Sequence, residues 1–162
     1  MRLNARRAVF VFALVSLARL ARAQGSLTPP PYGEFRVDAI DGRHPSVQAG
    51  AGLTVPMGIY VRLTATGGIG PEWRDSQTLV TGRTDVIARF LLDPFRQTPV
   101  ALSMGGGVSV PYERGVRVRP LLTAVIDIEG RRRGRVTPAI QVGLGGGARL
   151  GIALRTSVRN RR

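Results

Sequence analysis

The chain has 162 residues, enough for one domain, and no cysteine, which excludes a disulfide framework, a thiolate nucleophile and a cysteine metal site. Its 24 basic residues, all arginine, stand against 10 acids for a net charge of +14. No apolar run approaches the roughly 20 residues that a bilayer-spanning helix needs, which excludes a helical membrane protein.

Residues 1–23 read as a secretory signal peptide. Arg2, Arg6 and Arg7 form a positive start, residues 8–18 an apolar core too short to span a bilayer, and Ala21-Arg22-Ala23 a small-x-small cleavage site before Gln24. Export follows, and it makes nucleic acid an unsuitable partner despite the basic charge. Residues 24–34 carry Pro29, Pro30 and Pro31 and are expected to form an extended linker.

From residue 35 the chain alternates at period two through eight segments, at 35–39, 47–55, 59–69, 80–92, 100–110, 116–128, 136–146 and 150–158. On the apolar parity of these segments there is no Asp, Glu, Lys or Arg, although charged residues make up 21% of the chain; only Thr84 and Thr156 are polar. Successive strand residues point to opposite faces, so this is a sheet with one uniformly apolar surface. Connections rich in Gly, Pro and Asp separate the runs, at 56–58, 93–99 and 129–134 on one edge and at 41–45, 70–77, 111–115 and 145–148 on the other. Eight hairpin-connected strands predict an up-and-down antiparallel barrel over 35–159, followed by a basic tail at 160–162.

The second parity indicates which face is inside. It reads Ser46, Gln48, Gly50, Gly52, Thr54 on the second strand and Ala101, Ser103, Gly105, Gly107, Ser109 on the fifth. A soluble exterior carries more charge of both signs, whereas a narrow lumen takes small residues interspersed with a few large ones. The apolar face is therefore assigned to lipid. The alternative is a secreted, soluble, lipocalin-like barrel that buries the apolar face around a ligand.

In this pattern the chain resembles the small eight-stranded outer-membrane proteins of the OmpA transmembrane domain and OmpX type. The resemblance implies a bacterial outer-membrane barrel, monomeric, with both termini in the periplasm and outer-membrane lipids as its surroundings. Phe35 and Phe90 then become lipid-facing aromatics at the periplasmic rim, with Phe95 in the adjacent turn, and Trp73 and Tyr112 lie in outward loops. The basic turn Arg131-Arg132-Arg133 and the Arg161-Arg162 tail face the periplasm, toward lipid phosphates, peptidoglycan or envelope proteins.

The lumen of such a barrel receives Arg36, Asp38, Arg62, Arg83, Asp85, Arg89, Arg117, Arg119, Asp127, Glu129, Arg155 and Arg159. Strand direction puts Arg83, Asp85, Arg117 and Arg119 nearer the outer mouth and the rest in the periplasmic half, with Asp38 expected across from Arg155 or Arg159. Charges behind a low-dielectric wall are costly unless paired, and eight strands leave an interior that side chains just fill. A plugged, salt-bridged lumen with a structural or interaction role is the expectation. The excess of arginine makes a narrow anion-preferring pore the alternative.

One enzymatic arrangement is weighed. His44, the sole histidine, lies in the first outward connection and Asp75-Ser76 in the second. This placement is similar to that of the outer-membrane lipid A palmitoyltransferase, in which outward His, Asp and Ser residues act in acyl transfer. No motif surrounds the three residues here and the amphipathic N-terminal helix of that family is absent, so no catalysis is assigned. No carboxylate and histidine set has metal-ligand spacing, and the clusters Gly105-Gly106-Gly107 and Gly145-Gly146-Gly147 are not followed by the helix and lysine of a phosphate loop. No cofactor and no metal are expected.

Overall fold

The β-branched and aliphatic runs form eight strands, and among the described residues there is no helix. The computed structural model describes residues 30–75, 77–94, 98–113, 118–131 and 134–157. The expected signal peptide, Ser76, Phe95, Arg117, Arg132, Arg133, Arg159 and the basic tail lie outside the described residues. The strands are β1 (Tyr32–Gly42), β2 (Ser46–Met57), β3 (Val61–Arg74), β4 (Gln77–Leu91), β5 (Ala101–Tyr112), β6 (Leu121–Glu129), β7 (Val136–Leu144) and β8 (Gly147–Ser157). Each pairs antiparallel with the next, and β8 pairs with β1 to close the barrel. One circuit through the pairings returns to β1 displaced by about ten residues, a stagger that goes with the usual strand tilt of roughly 35–45°.

The two parities face opposite ways, as the pleat requires. Val37, Ile69, Val86, Ile126, Ile140 and Ile152 are exposed on the outer wall, while Arg36, Asp38, Arg89, Asp127 and Arg155 are buried within. This inverts the arrangement of a water-soluble protein. An apolar belt around the whole barrel would drive association in water and is matched by hydrocarbon. Val55 departs from the pattern: it is on the outward parity yet only 1% exposed, since the inner end of β2 buries Thr54 and Val55 in succession.

Four boundaries differ from the sequence reading. Strand β1 opens at Tyr32, which brings Glu34 into the wall. Residues 70–77, expected as an outward connection, are mostly strand: β3 continues to Arg74, β4 begins at Gln77, and Trp73 pairs with Thr78. Asp75 adopts the left-handed backbone (φ 51°) that a tight turn favours, so the chain reverses past Arg74, near the far end of the expected connection. In the opposite sense, β6 begins at Leu121 and not at 116. Its pairing with β5 stops at Ser109 and Leu121, next to Pro120, which has no N–H for the ladder. Finally, β8 begins at Gly147, with only two residues between it and the end of β7; Gly146 (φ 74°) permits that short reversal, and Arg149 enters the wall.

Candidate functional site: the arginine-rich lumen

In the half of the lumen nearer the chain termini, the inner half, Arg155 of β8 is the hub. Its Nε donates to Glu34 at 2.8 Å, Nη2 to Asp127 at 2.7 Å and Nη1 to Glu129 at 2.5 Å, so one guanidinium spans carboxylates from β1 and β6. Arg89 of β4 adds ion pairs to Asp127 at 3.1 Å and Glu34 at 3.5 Å. Arg62 of β3 donates to Glu129 and to the Tyr32 hydroxyl, with its guanidinium 5.5 Å from the centre of the Tyr32 ring. These charges are almost wholly buried, Arg89 at 1% exposure and Asp127 at 0%. Three-way pairing offsets the desolvation that an isolated buried ion would suffer.

Halfway up, Arg36 grips Asp38 in a two-pronged contact, both bonds 2.7 Å, and also donates to Glu34 at 3.3 Å. Asp38 stands opposite Gly151 in the β1–β8 register, where a Cβ would collide with its carboxylate; glycine there makes room for the pair. The expectation that Asp38 would face Arg155 or Arg159 is corrected: register puts Glu34 opposite Arg155. Gln141 of β7 joins the levels. Its Oε1 accepts from Arg36 and from Arg149 Nη2, and its Nε2 donates to Asp127 at 3.1 Å. Around the β4 and β6 sides the same depth is filled by Ile87 and Val125, both buried.

The opposite half, called the outer half, is more sparsely paired. Arg149 donates to Asp85 Oδ2 at 2.6 Å and lies 3.5 Å from Asp38. Arg83 reaches the β7–β8 turn, where Nη1 donates to the Gly145 carbonyl at 3.2 Å, and it makes no ion pair with any described carboxylate. At the rim Arg74 bridges Glu72 at 2.7 Å and Glu113 at 2.9 Å, and these bonds, Glu113 first, raise the Arg74 pKa above its ordinary value.

Of the charged residues expected inside, Arg36, Asp38, Arg62, Arg83, Asp85, Arg89, Asp127, Glu129 and Arg155 line the interior. Arg119 does not. It is exposed, in the connection ahead of β6, because the strand it was assigned to starts two residues later. Glu34, Glu72 and Arg149 were missed, and Gln141, on the inward parity of its strand, was given no part in the network. Two of them carry the parity of known interior neighbours, Glu34 that of Arg36 and Arg149 that of Arg155, and strands drawn slightly longer would have included them. Gln141 is neutral and gave no charge signal.

Phe90 faces outward and stacks on Tyr60, ring centres 5.7 Å apart and 8° from parallel, near the turn between β2 and β3. Phe35 is outward and 64% exposed, three residues inside β1. Trp73 and Tyr112, expected in loops, are outward-facing residues of β3 and β5. His44 lies in the β1–β2 turn and Asp75 in the β3–β4 turn; among the described residues no hydrogen bond or ion pair joins them. No group of three His, Cys, Asp or Glu side chains among the described residues is disposed to hold a metal ion.

An inside-out, closed eight-stranded barrel with an arginine-carboxylate interior is the fold of small outer-membrane barrels. The N-terminal β-barrel domain of Pseudomonas aeruginosa OprF is similar with a TM-score of 0.56 at 12% identity, covering 82% of this chain and 99% of that one. Neisserial surface protein A is similar with a TM-score of 0.53 at 11% identity, covering 83% of this chain and 100% of that one. A de novo designed transmembrane β-barrel matches with a TM-score of 0.53 at 14% identity, covering 83% and 98%. No protein-family model and no curated protein matches the chain. At such identities the likeness concerns the fold.

Proposed function

We propose that this chain is an exported barrel of the bacterial outer membrane, monomeric, whose sealed interior serves its stability and whose role is structural or interactive, without catalysis. The observation that supports this most directly is the unbroken chain of bonds from Tyr32 through Arg62, Glu129, Arg155, Asp127 and Gln141 to Arg149 and Asp85. It crosses the lumen at every level of the periplasmic half and opposes the passage of solutes. Exposed Arg131 and Arg135, in the β6–β7 turn, then meet lipid phosphates or the peptidoglycan side.

Cell fractionation tests the reading. The expected result is a protein in the outer-membrane pellet whose band shifts on heating in mild detergent. Recovery as free periplasmic protein would favour the soluble, ligand-binding barrel instead. Reconstitution into planar bilayers should give no steady current; a sustained anion-selective current would replace the plugged barrel with the narrow pore.

A further inference from the structure

The outer wall differs from one side of the barrel to the other. Over β6, β7 and β8 its outward residues are large, among them Leu122, Ile126, Ile140, Leu150 and Ile152. Over β2, β3 and β4 two adjacent ladder rows are mostly small. Register places Phe35, Ala51, Gly67, Thr84 and Val110 side by side in one row, and Val37, Ala49, Ile69, Gly82 and Tyr112 in the next. The wall there carries an open groove of about 570 Å³, with Phe35 of β1 and Tyr112 of β5 at its ends. Four interstrand steps of about 4.8 Å make it roughly 19 Å long. It climbs with the strand tilt, from three residues inside β1 to the last residue of β5.

The fold does not require this hollow. At every other strand glycine among the described residues, an added Cβ would come within 3.5 Å of a neighbouring atom. At Gly67 the nearest atom is the Arg83 carbonyl oxygen, 4.0 Å away. Gly67 does not adopt a positive φ either, so neither crowding nor backbone conformation calls for glycine there. Glycine weakens a strand and gives it no side chain to pack. What the missing side chain provides is depth on the outward face.

This wall faces hydrocarbon, so whatever fills the groove comes from within the membrane. Ile69, 62% exposed, stands in the second row and narrows the hollow to a single row through β3. Rows lie about 6.7 Å apart, whereas a helix with its side chains is roughly 10–12 Å across. A second barrel presents a convex wall and fits the hollow no better. One acyl chain does fit. Groove and bilayer are equally apolar, so the chain is held by dispersion from floor and flanks, gained by close contact with small residues. We propose that the groove holds one acyl chain of an outer-leaflet lipid, laid from the Tyr112 end toward Phe35 with the polar end of the lipid at the outer rim. This inference rests on the barrel reading and adds a retained lipid to it.

The test is native mass spectrometry of the full chain, extracted from outer membranes in mild detergent. The expected result is one lipid per barrel, of a mass found in the outer leaflet. Gly67→Leu extends a side chain into the groove and should lower the retained fraction at least about tenfold. Ala88→Leu, on the outward face of β4 away from the groove, should leave it unchanged. If Gly67→Leu gives no heat-modifiable band, Ala51→Leu fills the same row and takes its place. A native chain that retains no lipid overturns the proposal, as does retention undiminished by filling the groove. A lipid of the inner leaflet, or a dimer abolished by the same substitution, also overturns it by naming another occupant. A chain that never gives a heat-modifiable band fails the barrel reading; a folded barrel without a retained lipid fails only this inference.

Discussion

The two halves of the lumen are built from the same residue types and differ in how completely their charges are matched. In the half nearer the chain termini every interior cation among the described residues meets at least one carboxylate, and Glu34, Asp127 and Glu129 are each shared between two or more arginines. In the outer half Asp85 serves Arg149, and Arg83 is left to a backbone carbonyl. Buried ion pairs stabilise only when their hydrogen-bonding capacity is met, so the inner half acts as a rigid plug and the outer half as a less constrained vestibule. What separates the halves is that near the chain termini the carboxylates contributed by β1 and β6, Glu34, Asp38, Asp127 and Glu129, match Arg36, Arg62, Arg89 and Arg155 one for one and share them.

This comparison can be broken at several points. The largest effect is expected from Asp127→Ala, which strands Arg89 and Arg155 and removes the acceptor of Gln141; urea unfolding in detergent should show a loss of about 3–5 kcal/mol. If that substitution were tolerated, the inner half would not be the plug described. Asp85→Asn removes, among the described residues, the only ion pair of the outer half closer than 3.5 Å made by an interior arginine, and a loss of about 1.5–3 kcal/mol is expected by the same measurement. On the outside wall, Tyr60→Leu removes the stack on Phe90 and should lower stability by about 0.5–1.5 kcal/mol. The smallest effect is expected for Arg83→Gln, within about 0.5 kcal/mol, because no carboxylate is orphaned by its removal. A loss as large as that for Asp127→Ala would place Arg83 in the stabilising network and erase the distinction between the halves.

The alternation through all eight segments, 35–39 and 122–128 among them, predicted strands with one charge-free face, and the small, weakly charged second parity then assigned that face to lipid, because period two and the exclusion of charge are local properties of a strand facing a single solvent. The interior placement of Arg36, Arg89, Asp127 and Arg155 follows from the same parity. The ends of the strands were not legible in this way. Asp75 turns the chain where a left-handed backbone is available, while Pro120 delays β6 by denying the ladder a donor, and each moved charged or aromatic residues between loop and wall.

Sequence alone thus determined the fold class, the face that meets hydrocarbon and most of the interior charges, since all three depend on residue type and periodicity. Which charge meets which was decided by tertiary structure. Partners across the lumen depend on the register of eight strands and on the stagger with which the sheet closes. That closure set Glu34 opposite Arg155, set Gly151 opposite Asp38 and left Arg83 without a carboxylate. A shift of two residues in the β1–β8 ladder would keep the alternation intact and change the first two of those placements.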